Sequence, residues 1–287
     1  MSKPQPIIFT DLDGTLLTHD TYSFEPAREA IESLRLHEIP LVFCSAKTRM
    51  EQEIYREALG IKDPFVVENG GAVFIKNDYF PFNFKYHRVV GPYKVIEFGK
   101  PYKFVTNSLL QVALELGIEL KRYGNMTSKE VAESTGLDHD AACRAKLREY
   151  EETVITSLDQ GERRILEHHL KNYGLRLTDG ARFSGVGHIN SDKGRAVKAL
   201  ADMYRRKYGD IQIYGLGDSH NDAPMLAAVD LPFLVEKQSG DWEQIDIPKL
   251  GRIEGIGPVG WARAVEKLLS GELLVLPDRL DSGRAIF

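Results

Sequence analysis

Asp11 and Asp13 stand one residue apart at the end of the apolar run in "IIFTDLDGTLLT" (residues 7–18), just ahead of Gly14 and Thr15. Taken alone, Asp-Leu-Asp-Gly suits an ordinary turn out of a strand, because Asp bonds its own backbone and Gly accepts positive φ. Three further polar groups follow other strand or loop signals: Ser45, Lys193, and the cluster Asp218, Asn221 and Asp222. As an ordered set they suit phosphoryl transfer. A carboxylate can attack a phosphoryl group only when phosphate repulsion is neutralised. A hard divalent cation held by carboxylates does this, and Mg²⁺ is the economical choice. Lys193 can add a point charge, the Ser45 and Thr15 hydroxyls can donate hydrogen bonds, and loop N–H groups can cradle the remaining oxygens.

The elements in between must bring these groups together. The run before Asp11 reads as a strand, and "SFEPAREAIESLRLHEIP" as a helix with Ala27, Ile31 and Leu34 on one face and Pro26 in its first turn. A second strand from Leu41 leads to Ser45, and Thr48 with Glu51 forms a capping box for the next helix. "FVVENGGAVFI" places two apolar runs around Glu68-Asn69-Gly70-Gly71, the pattern of a hairpin or close strand pair. Later, "NSDKGRAVKALADMYRRKYG", "IQIYGLGDSHNDAPMLAAV" and "LPFLV" read as helix, strand, loop with helix, and strand. This grammar predicts an α/β fold, a parallel sheet covered on both faces, with ligands beyond the carboxyl ends of the strands. Residues 83–187 differ. Helix-like "KFVTNSLLQVALELG", "TSKEVAESTG" and "ERRILEHHLKNYG" alternate with strand candidates "GIEL", "ETVIT" and "LRLT", a small α+β insertion between core segments 1–82 and 188–287.

With 287 residues, 43% hydrophobic and 28% charged, the chain can bury a sizeable core plus an inserted module. A net charge of −5 without a long Lys/Arg run gives no footprint for nucleic acid. No stretch of 18 apolar residues predicts a membrane span, and "MSKPQP" lacks a signal peptide's apolar stretch. Cys44 and Cys143 have no metal-ligand spacing, which fits a reducing cytoplasm. Nothing in the pattern indicates an oligomeric state.

The motifs "DLDGT", the strand ending in Ser45, "DKG" and "GDSHND" resemble the four ordered motifs of haloacid dehalogenase-superfamily phosphatases. The resemblance implies a Rossmann-like core with an inserted α/β cap. In that reading Asp11 is the nucleophile that forms an aspartyl-phosphate, while Asp13 protonates the leaving oxygen and later activates water. Mg²⁺ would be held by Asp11, the Asp13 backbone carbonyl and Asp218, with Asp222 supporting that site or orienting Lys193. "FCSAKTRMEQEIYREALGIKDPFVVENGGAVFI", "AKLREYEETVI" and "GLGDSHNDAPML" are similar to mannosyl-3-phosphoglycerate phosphatases, strongest outside residues 83–140. Family sequences often carry Pro after the acidic pair where this chain has Thr153.

The substrate that the resemblance implies is a phosphorylated glycoside carrying a carboxylate, so its pocket needs cations besides Lys193. Lys47, Arg49 and Arg148 are candidates, with Glu68, Asn69 and Glu149 as readers of sugar hydroxyls and Thr15 and Asn221 as further contacts. Exposed helix pairs and an Asn-Gly turn are the competing explanations for several of them. The core motifs do not encode the sugar, so a glucosyl-3-phosphoglycerate or broader sugar-phosphate phosphatase is the alternative. A non-catalytic phosphate sensor is at odds with the complete set of carboxylates and Lys193. Two patterns lead elsewhere: "GIGPVG" (255–260) matches G-x-G-x-x-G without a clear preceding strand, and His168, His169 and His220 lack a metal-site spacing.

Overall fold

The computed structural model describes residues 3–179 and 183–272; the outer parts of the two predicted core segments, 1–2 and 273–287, and residues 180–182 of the predicted insertion lie outside them. Strand β1 (Gln5–Thr10) sets the layering, because side chains alternate across a sheet. Ile8 packs into one buried cluster and Ile7 and Phe9 into another, so both faces of the strand are covered. Helix α1 (Arg28–Leu36) follows a short turn containing Pro26, and then come β2 (Leu41–Cys44) and α2 (Arg49–Ala58). The Thr48–Glu51 capping box opens α2 as its sequence predicts: Thr48 Oγ1 accepts from Glu51 N at 3.2 Å, and Glu51 Oε2 accepts from Thr48 N at 2.8 Å.

Strand β3 (Phe65–Val67) runs parallel to β2, and β4 (Ala72–Lys76) returns antiparallel to β3, the strand pair expected around Glu68–Gly71. Next come β5 (Arg88–Val90) and β6 (Tyr93–Glu97), then the inserted elements α3 (Tyr102–Leu116), α4 (Ser128–Thr135), α5 (His139–Ala145), β7 (Glu151–Val154), α6 (Gln160–Lys171), β8 (Leu175–Asp179) and β9 (Ser184–His188). The described residues then run through α7 (Lys193–Tyr208), β10 (Ile211–Gly217), α8 (Ala223–Leu226), β11 (Leu231–Glu236), β12 (Gly251–Ile256) and α9 (Pro258–Ser270). The large sheet has the order β12-β11-β10-β1-β2-β3-β4-β6-β5, and β7-β9-β8 form a second sheet. All pairings from β12 through β3 are parallel. β1 lies between β2 and β10, where the direction of winding reverses, and in such sheets a crevice opens there beyond the strand ends.

Three expectations need correction. Residues 83–98 do not belong to the insertion: β6 pairs with β4, and β5 with β6, so they extend the large sheet. "GIEL" is not a strand, because α3 ends with Gly117 in the left-handed region and the following residues form no ladder; Arg122 makes one isolated bridge with Val154. "GIGPVG" does follow a strand, β12, but its glycines serve packing. A Cβ on Gly260 would fall 2.2 Å from Gly255 O, and the N–H groups of Gly255 and Gly257 already donate to Glu236.

The inserted sheet carries α3 and α6 on one face through Val105, Leu109, Val112, Leu166 and Leu170. Its two links to the core run side by side. A Cβ on Gly99 would come 2.8 Å from Ser191 Oγ, and Gly71 O accepts from both Phe98 N and Gly99 N.

Candidate active site

The strand ends put the ordered motifs in one place. Lys193, the first residue of α7, donates from Nζ to Asp11 Oδ1 and Asp222 Oδ1, each at 2.7 Å. Asp222 Oδ2 accepts from the N–H groups of Asp218 and Ser219 at 3.1 and 3.2 Å, which holds the loop after β10 in shape. Thr15 Oγ1 donates to Asp218 Oδ1 at 3.1 Å. Gly14 is required here: its φ is +80°, and a Cβ would stand 2.6 Å from Asp218 Oδ2. Behind Asp11, Trp261 Nε1 donates to Thr10 Oγ1 at 3.0 Å, and that hydroxyl donates to the Asp11 carbonyl at 2.7 Å.

Burial dominates the electrostatics. It pushes the Asp11 carboxyl well above its usual range, aided by the neighbouring Asp222 charge and opposed by Lys193. Burial, with Asp222 again, pushes Asp218 up to about 7. Burial alone would lower the Lys193 ammonium, but Asp11 and Asp222 more than reverse this and hold it charged. Carboxylate oxygens of Asp11, Asp218 and Asp222 lie within 4.8 Å of one another. One lysine cannot neutralise three such groups, so this donor set of hard oxygens fits a divalent cation.

Asp13 is held apart from that cluster. Its Oδ1 lies 3.0 Å from Lys47 Nζ, which is also 3.6 Å from Glu51 Oε1 and sits 4.6 Å over the Tyr22 ring. The Asp13 carboxylate is thus not one of the clustered oxygens. A cavity of about 160 Å³ is lined by Asp11, Asp13, Ser45, Lys47, Asn69, Arg148 and Asn221 from the sequence-predicted set. Ser45 Oγ is buried and accepts from Lys47 N at 3.3 Å.

Four expected contacts do not line this cavity. Thr15 is spent on Asp218. Arg49 pairs with Glu149 at 3.0 Å and with Glu53 at 3.2 Å, and Glu149 also meets Arg88 at 2.7 Å. Glu68 is fully buried and accepts the backbone N–H groups of Glu149, Tyr150 and Glu151, each at 2.8 Å. Sequence reasoning missed Glu151. It accepts both contacts from Asn69 Nδ2, at 2.9 and 3.0 Å, and binds Arg148 Nη2 at 2.9 Å. Its neighbour Glu152 points the other way and pairs with Arg122 at 2.7 Å. The strand period separates the two only once the start of β7 is known. Tyr22, Tyr123, Thr153, Phe183 and Gly185 are among the other residues of the wall.

The haloacid dehalogenase-like hydrolase family model matches residues 8–241. A glucosyl-3-phosphoglycerate/mannosyl-3-phosphoglycerate phosphatase of Methanococcoides burtonii is 43% identical, covering 92% of this chain and 97% of the relative. A mannosyl-3-phosphoglycerate phosphatase of Pyrococcus furiosus is 42% identical over 80% of this chain and 90% of its own. Among solved structures, Thermoplasma acidophilum 0175 aligns with a TM-score of 0.66 at 16% identity, covering 94% and 99% of the two chains. A haloacid dehalogenase-superfamily phosphatase of Bacteroides thetaiotaomicron aligns at 0.64 and 15%, covering 94% and 96%. These last two speak for the fold alone. With the motifs converged at one crevice and the match running through both core and insertion, the chain belongs to the haloacid dehalogenase-like hydrolases and, within them, to the mannosyl-3-phosphoglycerate phosphatase family.

Proposed function

We propose that this protein is a phosphatase that hydrolyses the phosphate monoester of mannosyl-3-phosphoglycerate, with the glucosyl analogue as a second substrate. The single observation that carries the chemistry is the Asp11–Lys193–Asp222 array with Asp218 beside it, and Asp13 held apart from it on the cavity that Asp11 also lines. The second sugar is favoured by the 43% identical relative, which is named for both glycosides.

In this reading an Asp11 carboxylate oxygen attacks phosphorus and the ester P–O bond breaks. Asp13 gives its proton to the departing alkoxide. Asp13, now ionised, takes a proton from water, which attacks phosphorus of the aspartyl-phosphate, frees inorganic phosphate and restores Asp11. Lys193 holds Asp11 in line and offsets the phosphate charge. Asp11, Asp218 and the Asp13 carbonyl, with Asp222 in support, would hold Mg²⁺, which would supply the remaining neutralisation of the phosphate oxygens. Arg148, which lines the cavity, is the cation offered to the glycerate carboxylate. The inserted layer acts as a cap that excludes water, and the protein works in the cytoplasm, where its two free cysteines stay reduced.

The test is phosphate release with Mg²⁺ from mannosyl- and glucosyl-3-phosphoglycerate beside a simple hexose phosphate. A strong preference for the two glycosides supports the proposal. Equal or better turnover of the hexose phosphate replaces it with a broader sugar phosphatase, and binding without release replaces it with a sensor.

A further inference from the structure

The insertion touches the core at a third place besides its two links. From the end of α5 to the first residue of β7, residues 148–151 dip back into the large domain. The Tyr150 ring is buried in the same cluster as Phe65, Phe74 and Tyr93, and its hydroxyl donates to Glu97 at 2.7 Å. The backbone of this segment is held by one side chain, Glu68, which accepts three consecutive N–H groups. Glu68 and Asn69 both occupy the left-handed region, at φ +48° and +54°, a conformation that Asn adopts readily but Glu does not adopt without cause. That conformation turns the Glu68 carboxylate toward residues 149–151 while Asn69 faces the cavity.

The consequences reach the wall of the pocket. Arg148 donates to Ala46 O at 3.1 Å, beside Ser45, and to Glu151 Oε2, while Asn69 holds Glu151 and accepts from Asn221 Nδ2 at 3.4 Å. Core and metal-side loop are thus joined to two residues that the sequence assigns to the insertion.

We infer that Glu68 is a positioning residue that pins residues 148–151 to the core, so that Arg148 and Glu151 belong to the fixed half of the pocket and stand ready before the cap moves. This inference rests on the functional reading above for its substrate, because the benefit is a pre-placed guanidinium for the glycerate carboxylate. Ordering that side chain in advance removes an entropy cost from binding.

The first test is Glu68→Gln, which keeps the size but presents an amide to three N–H donors. With mannosyl-3-phosphoglycerate, KM should rise about tenfold or more while kcat stays within about threefold. With p-nitrophenyl phosphate, which does not extend to Arg148, kcat/KM should stay within about twofold. Equal losses on both esters, or no loss on either, would overturn the inference. Hydrogen exchange of the wild-type protein gives a second test that does not need the variant to fold. The amides of 149–151 should exchange as slowly as those of β1 and β10 without substrate, whereas exchange as fast as that of α4 and α5 refutes the anchor. If the wild-type enzyme fails to prefer the glycoside over p-nitrophenyl phosphate, the functional reading falls, and the exchange experiment still decides on the anchor.

Discussion

Lys193 and Asp11 are 182 residues apart in the chain and 2.7 Å apart in the fold. The same ammonium reaches Asp222 at 2.7 Å, so one cation at the start of a helix organises two buried carboxylates from two different strand ends. Replacing it as Lys193→Met leaves that pair uncompensated. Turnover should fall about 10³-fold, and the metal-free protein should lose about 3 kcal/mol of stability. Steady-state kinetics and urea melts measure the two effects.

Asp11 and Asp13 should separate by the step at which each variant stops. Asp11→Asn should abolish turnover, and full activity in that variant removes the proposed nucleophile. Asp13→Asn should lower kcat by about 10²- to 10⁴-fold, because one group serves both half-reactions. With a good leaving group the first half needs little acid, so Asp13→Asn should accumulate phosphate on Asp11, visible by intact mass after rapid quenching.

Removing divalent metal with a chelator should abolish turnover and lower the melting temperature. Restoring Mg²⁺ to a hundred times its dissociation constant should return about 2.7 kcal/mol. Asp218→Asn and Gly14→Ala should both lose that thermal response, the second because its new Cβ meets the Asp218 carboxylate. An undiminished Mg²⁺ response in both would remove Asp218 from the metal site.

Burial pushes the Glu68 carboxyl up to about 7, against the pull of Arg148 and three N–H groups. Its folded value lies above the unfolded one, so between about pH 4.5 and 7 the native state holds the extra proton and stability falls as pH rises. The Glu68 contribution is complete below pH 4.5 and lost through 7, on the order of 3 kcal/mol in all. The measurement is the difference in slope of unfolding free energy against pH between wild type and Glu68→Gln, and parallel curves would count against the assignment.

The parallel core and the convergence of Asp11, Ser45, Lys193 and Asp218 were legible because each sits at the end of a strand or start of a helix with a clear period. The wall of the pocket was not. Glu149, Glu151 and Glu152 look alike in "REYEE", yet one pairs with two surface arginines, one faces the cavity and one is buried against Arg122. The register of β7 separates Glu151 from Glu152, and Glu149 lies before that strand begins. Glu68 likewise reads as a turn residue, since three backbone donors from a segment 81 to 83 residues away leave no local trace. Strands β5 and β6 were misassigned for a similar reason: antiparallel extension of a parallel sheet carries no motif of its own.

The links at Gly99 and Ser191 lie against each other, so the inserted layer leaves and rejoins the chain at nearly one point. A segment whose ends meet in this way can be gained, lost or exchanged without unpicking a strand of the large sheet. Evolution can therefore act on the two parts as separate inheritances, revising the inserted wall of the cavity while the carboxylates and Lys193 of the core pass on unaltered. The exception is the stretch from Arg148 to Glu151, which a transplanted cap must bring with it or find already matched to Glu68.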